Sequence, residues 1–138
     1  MRSTLVAPDT IGYIWPQVEK FIHSAFETEI GDDTEADVVA MLGRGEAQLW
    51  IAHNGAGIKA AAISRMAVMP NGKKVCFYVA CGGKDIAEWE DCIDDIEKYA
   101  QKHGCDKARA TGRPGWKKIF KERGYKEPFI VLEKVLNA

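Results

Sequence analysis

Apolar residues recur at helical spacing at Ile14, Val18, Phe21, Ile22 and Ala25, after a short N-terminal strand, Thr4-Leu5-Val6-Ala7. A period near 3.6 predicts a first helix there, with Pro16 in its first turn, where a missing N–H has no helical partner to lose. Asp32-Asp33-Thr34 offers capping residues to a second, shorter helix that carries Val38, Val39, Met41 and Leu42 and stops at Gly43-Arg44-Gly45. The period then becomes strand-like. Ala47-Gln48-Leu49-Trp50-Ile51-Ala52 leads into Asn54-Gly55, a dipeptide suited to the positive φ angles of a tight hairpin, and a longer strand runs from Gly57 to about Met69. Pro70-Asn71-Gly72-Lys73 makes the next turn, and Val75 to Ala80 the next strand, so three consecutive strands form an antiparallel meander.

After Gly82-Gly83, the residues Ile86, Trp89, Ile93, Ile96 and Ala100 mark one face of a long helix that ends at Gly104. Asp85 and Glu88 form a variant capping box, and Lys98, Lys102 and His103 complement the dipole at its other end. A short strand from Lys107 to Thr111 follows, then a basic helix from Pro114 to Arg123 ended by Gly124, then a last strand from Phe129 to Leu136. The helix that crosses from the meander to the next strand implies one parallel pair in an otherwise antiparallel sheet. The fold class is α/β (α+β): a central, mostly antiparallel mixed sheet of about six strands flanked by four helices.

Composition adds that these elements form one unit. The 138 residues contain no repeat and no Pro/Gly/Ser-rich linker, so residues 1–138 read as a single domain. No 18-residue apolar run exists, and Pro8 and Asp9 interrupt the start before a signal-peptide core could form, which leads to the expectation of a cytoplasmic protein. Cys76, Cys81, Cys92 and Cys105 contain no C-x-x-C pair, and His23, His53 and His103 are far apart in sequence, so no metal site is assigned. Four free thiols in a reducing compartment is the corresponding expectation.

Charge changes the picture only locally. The net charge is −1, but Lys98 to Lys126 holds ten Lys/Arg against Asp106 and Glu122. Lys117, Lys118 and Lys121 lie on the short basic helix that follows Arg113. Such a face is either a solvated helix surface or a contact for phosphates or nucleic acid. Trp116, at helical spacing with Ile119 and Phe120, reads as core-facing. The acid-rich run Asp85, Glu88, Glu90, Asp91, Asp94, Asp95 and Glu97 reads as the solvated face of the long helix. Glu27, Glu29, Asp32 and Asp33 follow the first helix and suit either an amine ligand or the capping of the second. Cys81 precedes a helix N-terminus with Lys84 nearby, a setting that lowers a thiol pKa, yet no histidine partner stands beside it in sequence.

One segment points to a family. Phe120-Lys121-Glu122-Arg123-Gly124-Tyr125, set between a short strand and a final one, is similar to the Tyr-Glu-x-x-Gly-Phe segment of the GCN5-related N-acetyltransferases (GNAT). The order of elements from Thr4 to Leu136 resembles the same family, and Gly112-Arg113-Pro114-Gly115-Trp116 with this tail resembles a divergent phage and prophage branch. The resemblance implies acetyl-CoA or CoA as cofactor, its pantetheine arm along the fourth strand and its pyrophosphate at the loop opening the third helix. It assigns cofactor contacts to Val79, Ala80, Cys81, Gly82, Gly83 and Lys84. It assigns acceptor contacts, for a small amine or a peptide, to Glu27 and Glu29, while the basic segment's own charge makes Arg113, Lys117 and Lys118 candidates for phosphate, partner or nucleic-acid contacts.

Three positions depart from the family pattern. The full Gln/Arg-x-x-Gly-x-Gly/Ala loop is absent, and Asp85 at the helix cap competes for the amides that would hold a phosphate. Phe120 stands where many relatives carry a tyrosine that protonates the departing thiolate, and Arg113 stands in place of an asparagine seven residues earlier. Tyr125 takes the family's phenylalanine position and reads as a core edge, so no catalytic residue is assigned. Two functions remain: an acyl-CoA-dependent N-acetyltransferase that works by positioning, or a non-catalytic GNAT-fold protein of phage or prophage origin that binds protein or nucleic acid.

Overall fold

The computed structural model describes residues 2–27, 33–83, 86–111 and 116–137. Five strands pair in the order β1 to β5: β1 (Arg2–Leu5), β2 (Ala47–Asn54), β3 (Gly57–Val68), β4 (Lys74–Gly83) and β5 (Lys107–Ala110). β1 through β4 are antiparallel to their neighbours, and β4 with β5 is the parallel pair that the crossover helix requires. The helices are α1 (Ile11–Phe26), α2 (Glu35–Gly43), α3 (Ile86–Lys102) and α4 (Lys117–Glu122).

The sheet separates two cores. On one face Val18 and Ile22 of α1 and Val38 and Leu42 of α2 pack on Leu49, Ile51, Ala61 and Ile63. On the other, Ile93, Ile96 and Ala100 of α3, with Trp116 and Phe120, pack on Trp50, Ala62, Cys76 and Tyr78. Ala60, Ala61 and Ala62 of β3 are all buried and alternate between the two faces. Methyl side chains there let helices on both sides approach the middle of the sheet closely. Burying each of Ile22, Leu49, Ile63, Ile93 and Ile96 contributes about 1.5–3 kcal/mol. The one buried polar side chain among the described residues, Ser64, is satisfied: it accepts from Trp50 Nε1 at 2.9 Å and donates to Gln48 Oε1 at 2.9 Å.

Several boundaries differ from the sequence reading. The N-terminal strand is Arg2–Leu5 rather than Thr4–Ala7, because its ladder with β2 closes at Leu5 opposite Trp50. α1 follows a short 3-10 turn over Pro8–Thr10 and begins at Ile11, so Pro16 lies inside the helix and not in its first turn. The ring removes the N–H that would bond the carbonyl of Gly12, a loss that the buried face of the helix outweighs. Thr34 is the cap of α2, its side chain accepting from the Asp37 N–H at 3.1 Å. The caps read at Asp32, Asp85 and Glu88, like Gly112 to Gly115, lie outside the described residues or side chains.

The largest difference is at the end of the chain. Phe129 to Leu136 forms no strand, and six apolar residues of that stretch are exposed. The run is rich in residues that favour strands, but such residues make a strand only where a neighbouring ladder accepts them. Among the described residues no ladder does, which gives five strands in place of about six.

Candidate functional site

The parallel pair is short. Val75 to Tyr78 of β4 match Lys107 to Ala110 of β5, and there β5 ends while β4 continues to Gly83. Beyond the Tyr78–Ala110 pair, β4 bonds to β3 on one side only among the described residues. Among the described residues the two strands therefore part in a fork, and one edge of Val79 to Gly83 has no ladder partner, so its backbone N–H and C=O groups suit an extended ligand. Open sheets bind ligands at this place, outside the carboxyl ends of parallel strands.

Val79 adds a second irregularity at the fork. Ile63 pairs with Ala80 and Ser64 with Tyr78, so Val79 has no partner in β3 and forms a bulge. The extra residue resets the alternation of the strand. Tyr78 and Cys81 consequently both face the α3 core, while Ala80 faces the α1 core.

The sequence placed Cys81, Gly82 and Gly83 in a loop, and this is corrected: they are strand, paired with Ala62, Ala61 and Ala60 of β3. Gly82 is glycine because of α1. A Cβ at this position would lie 2.1 Å from the carbonyl oxygen of Phe21, closer than any side chain tolerates. α1 thus closes one side of the β4 edge. Cys81 is fully buried, and burial pushes its thiol pKa up, the opposite of nucleophile activation. Gly83 is exposed at the end of the strand, and Lys84 and Asp85 lie outside the described residues.

At the base of the fork, on the α3 side, three side chains form a chain that the sequence reading did not connect. The Tyr78 and Tyr125 hydroxyls are 2.7 Å apart, and Tyr125 donates to Glu97 Oε2 at 2.7 Å. Phe120 packs edge-on against both rings, with centroids 5.2 and 4.9 Å away. Burial raises the pKa of both phenols, which keeps them protonated. Phe120 is 5% exposed and carries no proton to give. Tyr125 is the core edge that its sequence position predicts. Nothing in the spacing of Tyr78, Glu97 and Tyr125 announces their meeting, because they come from a strand, a helix and a loop.

The substrate and partner candidates separate. Glu27 ends α1, and its carboxylate lies 3.4 Å from His23 Nε2. His23 also bonds Glu35 across to α2 at 2.9 Å, and this bond is the first cause of its raised pKa. Lys117 and Lys118 are exposed, and Lys117 pairs with Glu127 at 2.8 Å. Glu29 and Arg113 lie outside the described residues. The acidic face of α3 is not simply solvated. Arg123 of the α4 end pairs with Asp94, and with Glu90 at 3.5 Å, while Asp95 accepts from Ser3.

No family model and no curated protein matches this chain by sequence. Solved structures do match. An aminoglycoside acetyltransferase from an uncultured soil metagenomic sample superposes with a TM-score of 0.70 at 10% identity, over 99% of this chain and 96% of that one. A ribosomal-protein-alanine N-acetyltransferase of Brucella melitensis biovar Abortus 2308 gives 0.70 at 12% identity, over 99% of this chain and all of the other. The fold is the GNAT fold. A predicted acetyltransferase of Clostridium acetobutylicum, solved with acetyl-CoA, gives 0.67 at 12% identity over 96% and 95% of the two chains. At these identities the agreement is one of GNAT architecture, and it spans nearly every residue of the chain.

Proposed function

We propose that this protein binds acetyl-CoA or CoA in the fork between β4 and β5 and transfers the acyl group to an amine. The observation that carries the reading is the β4 edge from Val79 to Gly83, which has no ladder partner beyond the Tyr78–Ala110 pair among the described residues. The residues present fit an extended pantetheine arm. The edge offers alternating N–H and C=O groups, the bulge at Val79 turns one peptide out of register, and α1 shields the opposite side at Gly82. Lys84 and Arg113 would supply positive charge for phosphates. The cofactor supplies an activated thioester. The protein's share is to align an amine beside it and to offer the Val79 region's backbone N–H groups to developing negative charge.

The acceptor in this reading is a cation before it reacts. α1 passes Gly82 at Phe21 and ends at Phe26 with Glu27 as its C-cap, and this acidic end, with Glu29 two residues on in sequence, suits a cationic amine. Structural neighbours that act on aminoglycosides and on a ribosomal-protein alanine support an amine as the acceptor class. Four free cysteines support a reducing, cytoplasmic setting, and no helix among the described residues is long and apolar enough to cross a membrane. The Gly112 to Tyr125 segment supports descent from the phage and prophage branch.

A second reading, cofactor or partner binding without acyl transfer, draws on one observation: Phe120 fills the position of the usual acid and is locked in an aromatic cluster. Titration calorimetry with acetyl-CoA and CoA tests the first reading, with slowed amide exchange over Val79 to Gly83 as its local signature. No heat at millimolar ligand overturns cofactor binding. Binding without thiol release in the presence of a panel of amines selects the second reading.

A further inference from the structure

The face of the sheet that carries α1 and α2 changes character at one row. The core beneath those helices takes in Ile63 of β3 and Val79 and Ala80 of β4. The next residues on that face are Arg65 and Phe77, because Ser64 and Tyr78 turn to the α3 side. On β5, Ala108 and Ala110 pack on the α3 core, so Arg109 between them joins the row. The register makes it a ladder: Arg65 pairs with Phe77, and Phe77 with Arg109.

Two cations thus share one aromatic ring. The Arg65 guanidinium lies 4.8 Å from the Phe77 ring centroid and that of Arg109 5.8 Å, and Arg109 is also 5.4 Å from the Phe129 ring. A guanidinium over a ring face leaves its edge donors unused by the ring. No acid among the described residues forms an ion pair with either arginine. Arg65 Nε is buried with no hydrogen-bond partner among the described residues, and such a donor is costly unless an acceptor meets it. Lys107, two residues before Arg109 on β5, adds a third positive charge on the same face. Planar forks anchored on a rigid ring suit an oxyanion, which accepts from both at once.

We propose, resting on the acyl-transfer reading above, that this row binds the acyl acceptor, and that the acceptor is an amine that also carries a carboxylate or phosphate. The Phe77–Arg109 pair stands one pair before Tyr78–Ala110, where the strands part. Val79, the bulge residue at the fork, lies two residues beyond Phe77 on the same face, about 7 Å along the strand. α1 packs on this face as well, and its C-cap is Glu27, the candidate for the charge of the amine. An ammonium together with an oxyanion is therefore complementary to what this one face presents.

Titration calorimetry on the full chain saturated with CoA tests this, with circular dichroism as the check on folding. The probes are ε-aminocaproate, its neutral amide, and an aminoalkyl phosphonate of the same length. The wild type binds the carboxylate or the phosphonate about tenfold or more tighter than the amide, and the tighter of the two names the oxyanion. Arg65→Gln and Arg109→Gln each abolish that preference and leave CoA affinity as in the wild type, while Arg65→Lys and Arg109→Lys retain part of it. A lost preference beside an unchanged CoA affinity separates ligand contact from a merely structural role of the stack. CoA binding with no preference for either oxyanion probe up to about 10 mM overturns the acceptor assignment and leaves the acyl-transfer reading standing. So does a preference that survives either glutamine substitution. Absence of CoA heat overturns the acyl-transfer reading itself, and the acceptor assignment falls with it.

Discussion

The hydroxyl of Tyr125 stands 2.7 Å from that of Tyr78, and the proton it carries points to Glu97. This contact ties the loop after α4 to β4 and α3 at the base of the fork. Tyr125→Phe removes both bonds and leaves the Tyr78 hydroxyl buried with one partner fewer. We expect a loss of about 1–2 kcal/mol in urea unfolding. The double variant with Tyr78→Phe loses less in total than the sum of the two single effects, because the same bond is deleted twice. Additive losses would show that the hydroxyls act independently.

Gly82 marks where α1 touches the sheet. Gly82→Ala forces a Cβ onto the Phe21 carbonyl and displaces either α1 or the end of β4, at a cost of about 1–3 kcal/mol. Gly12→Ala is the control: no atom lies within 4 Å of a Cβ there, and the position is helical. That substitution stabilises by about 0.5–1 kcal/mol. Equal melting temperatures for Gly82→Ala and wild type would show that the contact yields freely.

Ser64 holds the indole of Trp50 in the α3 core. Ser64→Ala leaves Trp50 Nε1 buried without its acceptor and costs about 1–3 kcal/mol. Trp50→Phe in the Ser64→Ala background removes the orphaned donor, so its additional cost is less than that of Trp50→Phe alone. Chemical denaturation of the four proteins measures the coupling.

The thiols respond to pH in a stated direction. Burial raises the Cys76 thiol from an ordinary 9.0 to about 12 and raises Cys81 as well. The unfolded chain ionises these thiols first, so their contribution to stability is complete below pH 9 and is lost as pH climbs toward 12. Native protein at pH 8 labels with a thiol reagent at Cys105, which is partly exposed, and the other three react only on unfolding. Fast labelling of Cys81 in the folded state would contradict its burial.

His23 links α1 to α2 through Glu35 at 2.9 Å, and the bond raises its pKa. The clamp is present below the ordinary histidine value and is lost as pH rises through the raised one. The pair is solvent-exposed, so added salt weakens it. A proton NMR titration reads the raised value, and Glu35→Gln returns it toward 6.5.

Where the period of the hydrophobic pattern was long and its ends were punctuated, the sequence by itself determined the outcome. The meander from Ala47, the end of α3 at Gly104 and the inward Trp116 follow from local chemistry: side-chain alternation, a left-handed glycine and helical spacing. The hairpin read at Asn54-Gly55 forms, but its loop is Gly55–Ala56 with Asn54 still in β2, and the positive φ lies at Gly57; of the capping residues Asp32-Asp33-Thr34, Thr34 is the cap. Tertiary structure decided the rest. The bulge at Val79 depends on which residue of β3 lies opposite, and an unbroken apolar run cannot announce it. The place where β5 leaves β4 is set by pairing between segments about thirty residues apart, which no local window contains. Gly82 looked like room for a ligand and is room for Phe21. Phe129 to Leu136 shows the limit most directly, since an apolar extended segment becomes a strand only when another backbone meets its hydrogen-bonding edge.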